Sequence, residues 1–477
     1  LKYFKILLLC YSKNKHMTLI KSISGIRGTI GGKVGEGLSP VDAVRFSAAY
    51  GTWMLKRCQK KSPVVVVGRD ARISGEMIRQ LVVSTLQALG IDVYDLGLST
   101  TPTVELAVQM QNADGGIILT ASHNPKQWNA LKLLNERGEF INAEDGAEVL
   151  AIAEADHYHF AEVDDLGSYT SDDSYIQKHI DSVMQLKWVN VDAIKAANFN
   201  VVVDAVNSTG GIAVPALLES LGVSCVPLYC EPNGHFPHNP EPLAEHLTEI
   251  SKLVVDSHAD FGIVVDPDVD RLAIVNEDGT MFGEEYTLVA CADYILSKEK
   301  GNTVSNLSSS RALREVTHKH GGEYFSSSVG EVNVVNQMKA CNAIIGGEGN
   351  GGIIYPNSHY GRDSIVGIAL FLSLLAEKKM KCSELRASYP SFFMSKNKIQ
   401  LTPEIDVDMI LSEMSKKYAH EDVTTIDGVK IDFAEEWVHL RKSNTEPIIR
   451  IYTESGSKAG ADKLAERFMK EIKELTI

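Results

Sequence analysis

One pattern of apolar and polar positions recurs three times along this chain. A short β-branched run gives way to a turn rich in Gly, Asn, Ser or Asp. An amphipathic stretch at helical spacing follows, then glycine and a second apolar run. Pro63 to Val67 leads to a helix expected near Gly75 to Leu89 and a strand over Ile91 to Leu96. Asn200 to Val203 leads to a helix near Gly210 to Leu221 and a strand over Val223 to Leu228. Thr303 to Leu307 leads to a helix near Arg311 to Lys319 and a strand over Glu323 to Ser327. Units of this kind lay two parallel strands side by side through a helical crossover. Their unequal spacing excludes a solenoid and predicts three similar α/β domains in tandem. Ser39-Pro40-Val41-Asp42 offers an N-cap serine with proline at the first helical position, and Thr101-Pro102 is expected to repeat the device.

The end of the chain differs in kind. Strands are expected over Val429 to Phe433, Trp437 to Leu440 and Ile448 to Tyr452, before a last helix in which Leu464, Phe468, Ile472 and Leu475 form one apolar stripe. The expectation is an α/β fold of three tandem βαβ-containing mixed-sheet domains plus a smaller C-terminal α+β domain. Residues 17–165, 166–280, 281–385 and 386–477 are the expected domains, after an extension or tail at 1–16. That tail carries a lysine-flanked apolar run too short for a secretory signal, and the first methionine is Met17.

A chain of 477 residues exceeds what one core supports, in line with several domains. The formal net charge of -15 argues against a partner that is nucleic acid or an anionic membrane, so an anionic substrate needs a local cationic pocket. No apolar run approaches the ~20 residues that span a bilayer. Seven scattered cysteines, with no zinc-like spacing, suit a reduced, cytoplasmic setting.

Four segments carry chemistry. The apolar run Gly116 to Leu119 ends in Thr120-Ala121-Ser122-His123-Asn124-Pro125, which sets the Ser122 hydroxyl at the end of a buried strand, just before a turn. Ligands of α/β sheets bind at that edge. After the apolar strand Phe261 to Val265 comes Asp266-Pro267-Asp268-Val269-Asp270-Arg271. Three carboxylates so close repel one another, and hard oxygen ligands suit Mg²⁺; alternate residues of an extended chain would bring Asp266, Asp268 and Asp270 to one ion. An EF-hand reading, with Glu277 as last ligand, fails because Arg271 stands where that loop needs glycine. Arg441-Lys442-Ser443-Asn444-Thr445-Glu446-Pro447, with Arg450 beyond, has the guanidinium forks, hydroxyls and amide that wrap a phosphate. Gly346-Gly347-Glu348-Gly349-Asn350-Gly351-Gly352 reads as a loop too glycine-rich for a regular element, in which Glu348 and Asn350 can hydrogen-bond hydroxyls. Arg27, Lys132 and Arg271 are further candidate cations.

These segments, in this order, resemble the α-D-phosphohexomutase superfamily, which includes phosphoglucomutases, phosphomannomutases and phosphoglucosamine mutases. TASHNP resembles its phosphoserine loop, DPDVDR its DGDGDR metal loop, GEGNGG its sugar loop and RKSNTEP its phosphate loop. The resemblance implies four domains around a central cleft. It makes Ser122 the phosphoryl carrier, with Asp266, Asp268, Asp270 and the phosphate on Ser122 around Mg²⁺. Arg27, His123, Lys132 and Arg271 would surround the reacting phosphate, Glu348 and Asn350 would read the sugar, and Arg441, Ser443, Asn444, Thr445 and Arg450 would grip the phosphate that is not reacting. A hexose phosphate would pass through a hexose 1,6-bisphosphate. Familiar members end the sugar loop as GEMSGH, whereas this chain has Asn350 and Gly352 in place of the serine and histidine. The GGEGNGG form, followed by Gly361-Arg362-Asp363, is similar to archaeal-type phosphoglucosamine mutases and to related phosphoglucomutase/phosphomannomutase sequences; glucosamine phosphate is the expected substrate, with glucose or mannose phosphate as the alternative. A sugar-phosphate phosphatase and a non-catalytic binding protein are the readings from other classes.

Overall fold

The computed structural model describes residues 17–22, 25–400, 406–442 and 448–475. Four sheets follow one another along the chain. The first contains β1 (Ile20–Ser22), β2 (Gly25–Thr29), β3 (Val64–Arg69), β4 (Asp92–Leu98), β5 (Gly115–Leu119), β6 (Trp128–Leu134) and β7 (Tyr169–Ser171), in the order β1-β2-β6-β5-β3-β4-β7. Strands β3, β4 and β5 run parallel, because helices Gly75–Ala88 and Thr101–Met110 carry the chain back between them; β5, β6 and β2 pair antiparallel. β7 lies beyond residue 165 yet pairs with β4, so this sheet reaches further along the chain than the expected boundary.

The second sheet holds β8 (Asn200–Asp204), β9 (Ser224–Leu228), β10 (Phe261–Val265) and β11 (Leu272–Asn276), ordered β11-β10-β8-β9. The third holds β12 (Asn302–Asn306), β13 (Tyr324–Ser327), β14 (Ala343–Glu348) and β15 (Gly352–Ile354), ordered β13-β12-β14-β15. Each has a parallel βαβ unit and one antiparallel hairpin, giving the mixed sheets that the repeated pattern predicts. One apolar core spans both sheets: helix Ser364–Lys378 is buried on nearly every side, and its Phe371 meets Phe261 of β10 and Phe282 edge to face. The fourth sheet, β16 (Phe393–Gln400), β17 (Asp422–Thr424), β18 (Val429–Asp432), β19 (Trp437–Lys442) and β20 (Ile448–Ser455), is antiparallel and has its own core around Ile410, Met414, Ile451 and Phe468. The class is α/β with a smaller α+β domain at the end, as expected.

Local differences from the sequence reading have physical causes. Helix Pro40–Arg57 starts at the capping box of Ser39 and Asp42 as expected, but the second cap is Thr100, whose hydroxyl accepts from the Thr103 N–H, so Pro102 is not the first helical residue. The glycine run is half strand: Gly346, Gly347 and Glu348 finish β14 and Gly352 begins β15. Glycine is needed there for close approach, since a Cβ on Gly346 would lie 2.7 Å from both the Met338 sulfur and the Val304 carbonyl oxygen.

Candidate active site

The serine loop leaves β5 at the carboxyl end of the first sheet. Ser122 sits in the left-handed region (φ 48°), and its N–H donates to Thr120 Oγ1 at 2.9 Å. Thr120 in turn donates to Asp70 Oδ2 at 2.7 Å. Arg72, fully buried, pairs with the same carboxylate at 2.9 Å and donates to the carbonyls of Ser122, Asn124, Pro125 and Trp128. A loop in a costly backbone conformation is therefore over-determined by one guanidinium.

The aspartates face this loop from β10 of the second sheet. They converge through a tight turn and not, as the sequence reading had it, through an extended strand: the Val269 N–H donates to the Asp266 carbonyl at 3.1 Å, and Val269 has φ 64°. A β-branched residue pays strain there, but its side chain is fully buried in the core shared by the second and third sheets. Ser122 Oγ donates to Asp266 Oδ2 at 2.8 Å. Asp268 Oδ2 accepts from Thr101 Oγ1 at 2.6 Å and from Lys132 Nζ at 2.7 Å. Asp270 Oδ2 accepts from Arg362 Nη2 at 2.7 Å, with Lys132 at 3.5 Å.

The donor set fits a hard divalent cation. One carboxylate oxygen from each aspartate lies within 4.8 Å of the others, and the buried Asp268 Oδ1 and Asp270 Oδ1 have no hydrogen-bond partner among the described residues. Burial, followed by the charges of Asp270 and Asp268, pushes the Asp266 carboxyl well above the usual carboxylate range. A bound cation would reverse that shift. Glu277 points elsewhere, accepting from Ser383, so the EF-hand reading fails in the structure too.

The cations are not alike. Burial alone would lower Lys132, but Asp268 and Asp270 hold it above its ordinary range, as a fixed ammonium. His123 Nδ1 lies 3.4 Å from Ser122 Oγ, and burial, then the charge of Arg271, lowers its pKa to about 2, leaving a neutral ring. Arg271 is loosely paired, 3.8 Å from Glu241 and 3.9 Å from Asp270. Arg27 lies on β2 opposite Ala130, and the Ala130 carbonyl also accepts from Thr120, so Arg27 shares the strand-end row from which the serine loop departs. Its Nε is buried without a partner among the described residues.

The glycine-rich loop reaches the same place through its backbone: the Gly351 carbonyl accepts from the N–H of Leu272, the residue after Arg271, at 3.0 Å. Glu348 Oε1 accepts from Asn306 at 2.8 Å and from the Gly330 N–H at 3.1 Å, while Oε2 accepts from Arg362. Asn350 turns its Oδ1 back to the Gly352 N–H at 3.2 Å. Arg441 and Arg450 face each other across β19 and β20, Arg441 pairing with Asp427 at 3.0 Å. They make no contact with Ser122 or the aspartates among the described residues. Ser443, Asn444 and Thr445 lie outside those residues, as does the 1–16 segment.

Four family models match in succession. Three describe the phosphoglucomutase/phosphomannomutase alpha/beta/alpha domains I, II and III, over residues 19–159, 177–279 and 283–392, and the fourth describes the C-terminal domain, over 399–471. The chain belongs to the phosphoglucomutase/phosphomannomutase family. A phosphoglucomutase/phosphomannomutase of Thermococcus kodakarensis is 35% identical over 94% of this chain and 98% of its own length. A phosphoglucosamine/phosphogalactosamine mutase of Sulfurisphaera tokodaii is 31% identical over 94% and 98%. The crystal structure of a family protein from Burkholderia thailandensis shares the fold, with a TM-score of 0.82, 24% identity and coverage of 96% of this chain and 97% of that one. Members of this family are mutases, and the chain is an enzyme of that class, a phosphohexomutase. Among the described residues no helix is long and apolar enough to cross a membrane.

Sequence reasoning did not assign three residues of this candidate site. Arg72 and Asp70 build the serine loop from a neighbouring strand end, and Arg362 joins two loops. For Arg72 a signal existed, since a cation two residues after an aspartate at the end of the β-branched run Val64 to Val67 sits at a ligand-binding edge.

Proposed function

We propose that the protein is a Mg²⁺-dependent phosphohexomutase that carries phosphate on Ser122 and interconverts glucosamine 6-phosphate and glucosamine 1-phosphate. The observation that carries this reading is the Ser122 hydroxyl 2.8 Å from Asp266, in a buried cluster that ends with two partnerless carboxylate oxygens. Asp266, Asp268 and Asp270 would hold the ion, which supplies charge neutralisation at the moving phosphoryl group.

The chain's own residues divide the remaining work. In the first half-reaction a sugar hydroxyl oxygen bonds to phosphorus as the phosphorus–Oγ bond of phosphoserine breaks; the hydroxyl gives up its proton, and Ser122 Oγ regains one. The second half-reaction reverses this at the other end of the reoriented bisphosphate. Lys132 is committed as a cation and can neutralise but not accept. His123, neutral and 3.4 Å from Oγ, can hydrogen-bond the oxygen that gains or loses the phosphate, but a pKa lowered to about 2 makes it too weak a base to hold the proton near neutral pH. Arg27 and Arg271, with few partners of their own, have donors to spare for phosphoryl oxygens. Glu348 and Asn350 would read sugar hydroxyls. Arg441, Arg450 and the 443–445 segment would hold the second phosphate.

Ser122→Ala is expected to lower kcat by about four orders of magnitude with an unchanged Tm. Turnover near the wild-type rate would overturn the carrier role. Coupled assays with glucosamine, N-acetylglucosamine, glucose and mannose phosphates, compared by kcat/KM, test the sugar. Preference for glucose or mannose phosphate would favour the second reading, which the 35% identity to a phosphoglucomutase/phosphomannomutase supports. Net release of inorganic phosphate would mark a phosphatase instead.

A further inference from the structure

Arg362 stands where three carboxylates from three segments meet. Its Nη2 donates to Asp270 Oδ2 at 2.7 Å, its Nη1 donates to Glu348 Oε2 at 2.8 Å, and its Nε lies 3.1 Å from Glu331 Oε2. The Arg362 main-chain N–H also donates to Glu331, at 3.0 Å. All four residues are buried. Such a guanidinium cannot swing freely, because every movement breaks a charge-assisted bond in a low-dielectric site.

The sugar hairpin is shaped around this side chain. A Cβ on Gly352 would lie 2.3 Å from Arg362 Cδ, so the arginine stem occupies the space that any side chain at this position would need. This is the position at which GEMSGH sequences carry histidine.

We propose that Arg362 is a positioning residue that couples the metal loop to the sugar loop. One prong fixes Asp270 Oδ2 and leaves Oδ1, which has no hydrogen-bond partner among the described residues and only the loose 3.9 Å ion pair with Arg271, as the donor for the ion. The other prong fixes the Glu348 oxygen that Asn306 and Gly330 do not use. A sugar phosphate that draws on Glu348 shifts the same guanidinium that orients Asp270, and an ion that draws on Asp270 shifts the group that orients Glu348. Metal affinity and sugar-phosphate affinity are then linked through one side chain, and the linkage is reciprocal by thermodynamic necessity. The inference rests on the proposed reading, in which the aspartates bind the ion and Glu348 meets the sugar.

The test is calorimetric titration of the full chain with Mg²⁺, with and without saturating glucosamine 6-phosphate, and the reverse titration. In the wild type each ligand is expected to change the affinity of the other by the same factor, about 5-fold or more. Arg362→Lys keeps a positive charge among the three acids but lacks the fork, and is expected to bring that factor to within about 2-fold of unity. Gly352→Ala leaves Arg362 in the chain but pushes on its stem. It should lower the factor as well, and the double variant should show no further loss. A general loss of stability would lower Tm without removing the linkage. An unchanged factor in both single variants, or two ligands that bind the wild type independently, would overturn the proposal while leaving the mutase reading intact. A Mg²⁺ titration identical in wild type and Asp268→Asn would instead overturn the metal assignment, and this inference with it.

Discussion

Two buried arginines make the same kind of contacts in different domains, with different consequences. Arg72 pairs with Asp70 and donates to four carbonyls of the serine loop, all within the first domain. Arg311, at the start of helix Ala312–Lys319 in the third domain, donates to the carbonyls of Phe433, Ala434 and Glu436, and lies 3.7 Å from Glu454 and 3.5 Å from Asp432. Every one of those partners belongs to the fourth sheet or its turns. The first arginine fixes the loop that carries Ser122 inside its own domain. The second ties one domain to another. Buried guanidinium forks therefore serve both internal geometry and domain attachment, and kinetics can tell the two uses apart.

The largest effect is expected from Arg72→Lys. A lysine has three donors on a flexible stem and cannot span a carboxylate and four carbonyls, so several loop carbonyls lose their partner and Ser122 loses its support at φ 48°. Misplacing a reacting group by ~1 Å costs about 100-fold in rate. The expected outcome is a fall in kcat of about that size, with KM changed by less than about 3-fold, measured in the coupled assay. A variant with raised KM and wild-type kcat would show that Arg72 acts as Arg311 does, and the contrast would collapse.

Arg311→Met should give the opposite signature. The fourth sheet has a core of its own, so loosening it leaves Ser122, Lys132 and the aspartates in place. Leaving the buried Glu454 without its cation is expected to cost about 3 kcal/mol of attachment. Hydrogen exchange is the direct measurement. Amides of β18 and β19 should exchange faster while those of β5 and β6 stay as protected as in the wild type. Equal acceleration in all four strands would mean that the domains unfold as one unit and that Arg311 is no special tether.

The two arginines also mark where sequence reading works. Ser122 and the three aspartates were legible because their chemistry is local: a hydroxyl at a strand end and acids two residues apart announce themselves within six positions. The three βαβ units were legible because apolar periodicity is local too. Arg311 was not, because it reads as an ordinary surface charge until the chain brings its carbonyls close, some 120 residues further along; at Arg72 only the strand-end position is legible, since the carbonyls it holds lie some 50 residues on. Arg362 was noticed only as part of a Gly-Arg-Asp string, and its three acids come from different segments. Gly346 and Gly347 read as loop in the sequence, since their role, letting β14 approach its neighbours, shows only in three dimensions. The aspartates were assigned correctly to one cluster but by the wrong geometry, because the left-handed turn at Val269 defies the preference of a β-branched residue.

A third contact sharpens the comparison, because it is built from groups that titrate while arginine does not. His359 of the third domain lies 3.1 Å from Asp363 and 3.3 Å from Glu105 of the first, and Asp363 also meets His179 of helix Tyr175–Met184 at 2.9 Å. Burial alone would lower His359, but its bonds to Asp363 and Glu105 raise it from 6.5 to about 10. Burial pushes Glu105 from 4.5 up to about 8. In both cases the folded chain keeps a proton that the unfolded chain releases, so both contributions fall as pH rises: that of Glu105 between 4.5 and 8, that of His359 between 6.5 and 10. His359→Gln keeps a hydrogen bond to Asp363 but not the charge. Thermal unfolding of the two proteins should show a Tm gap of about 5 °C near pH 6, where the imidazolium contributes in full, and a gap that closes towards pH 10. The Arg311→Met gap should stay level over the same range, since a guanidinium keeps its proton throughout. A His359→Gln gap that is constant with pH would place a neutral ring between Glu105 and Asp363, and would leave Arg311 as the one of these three contacts that ties domains together through a charge.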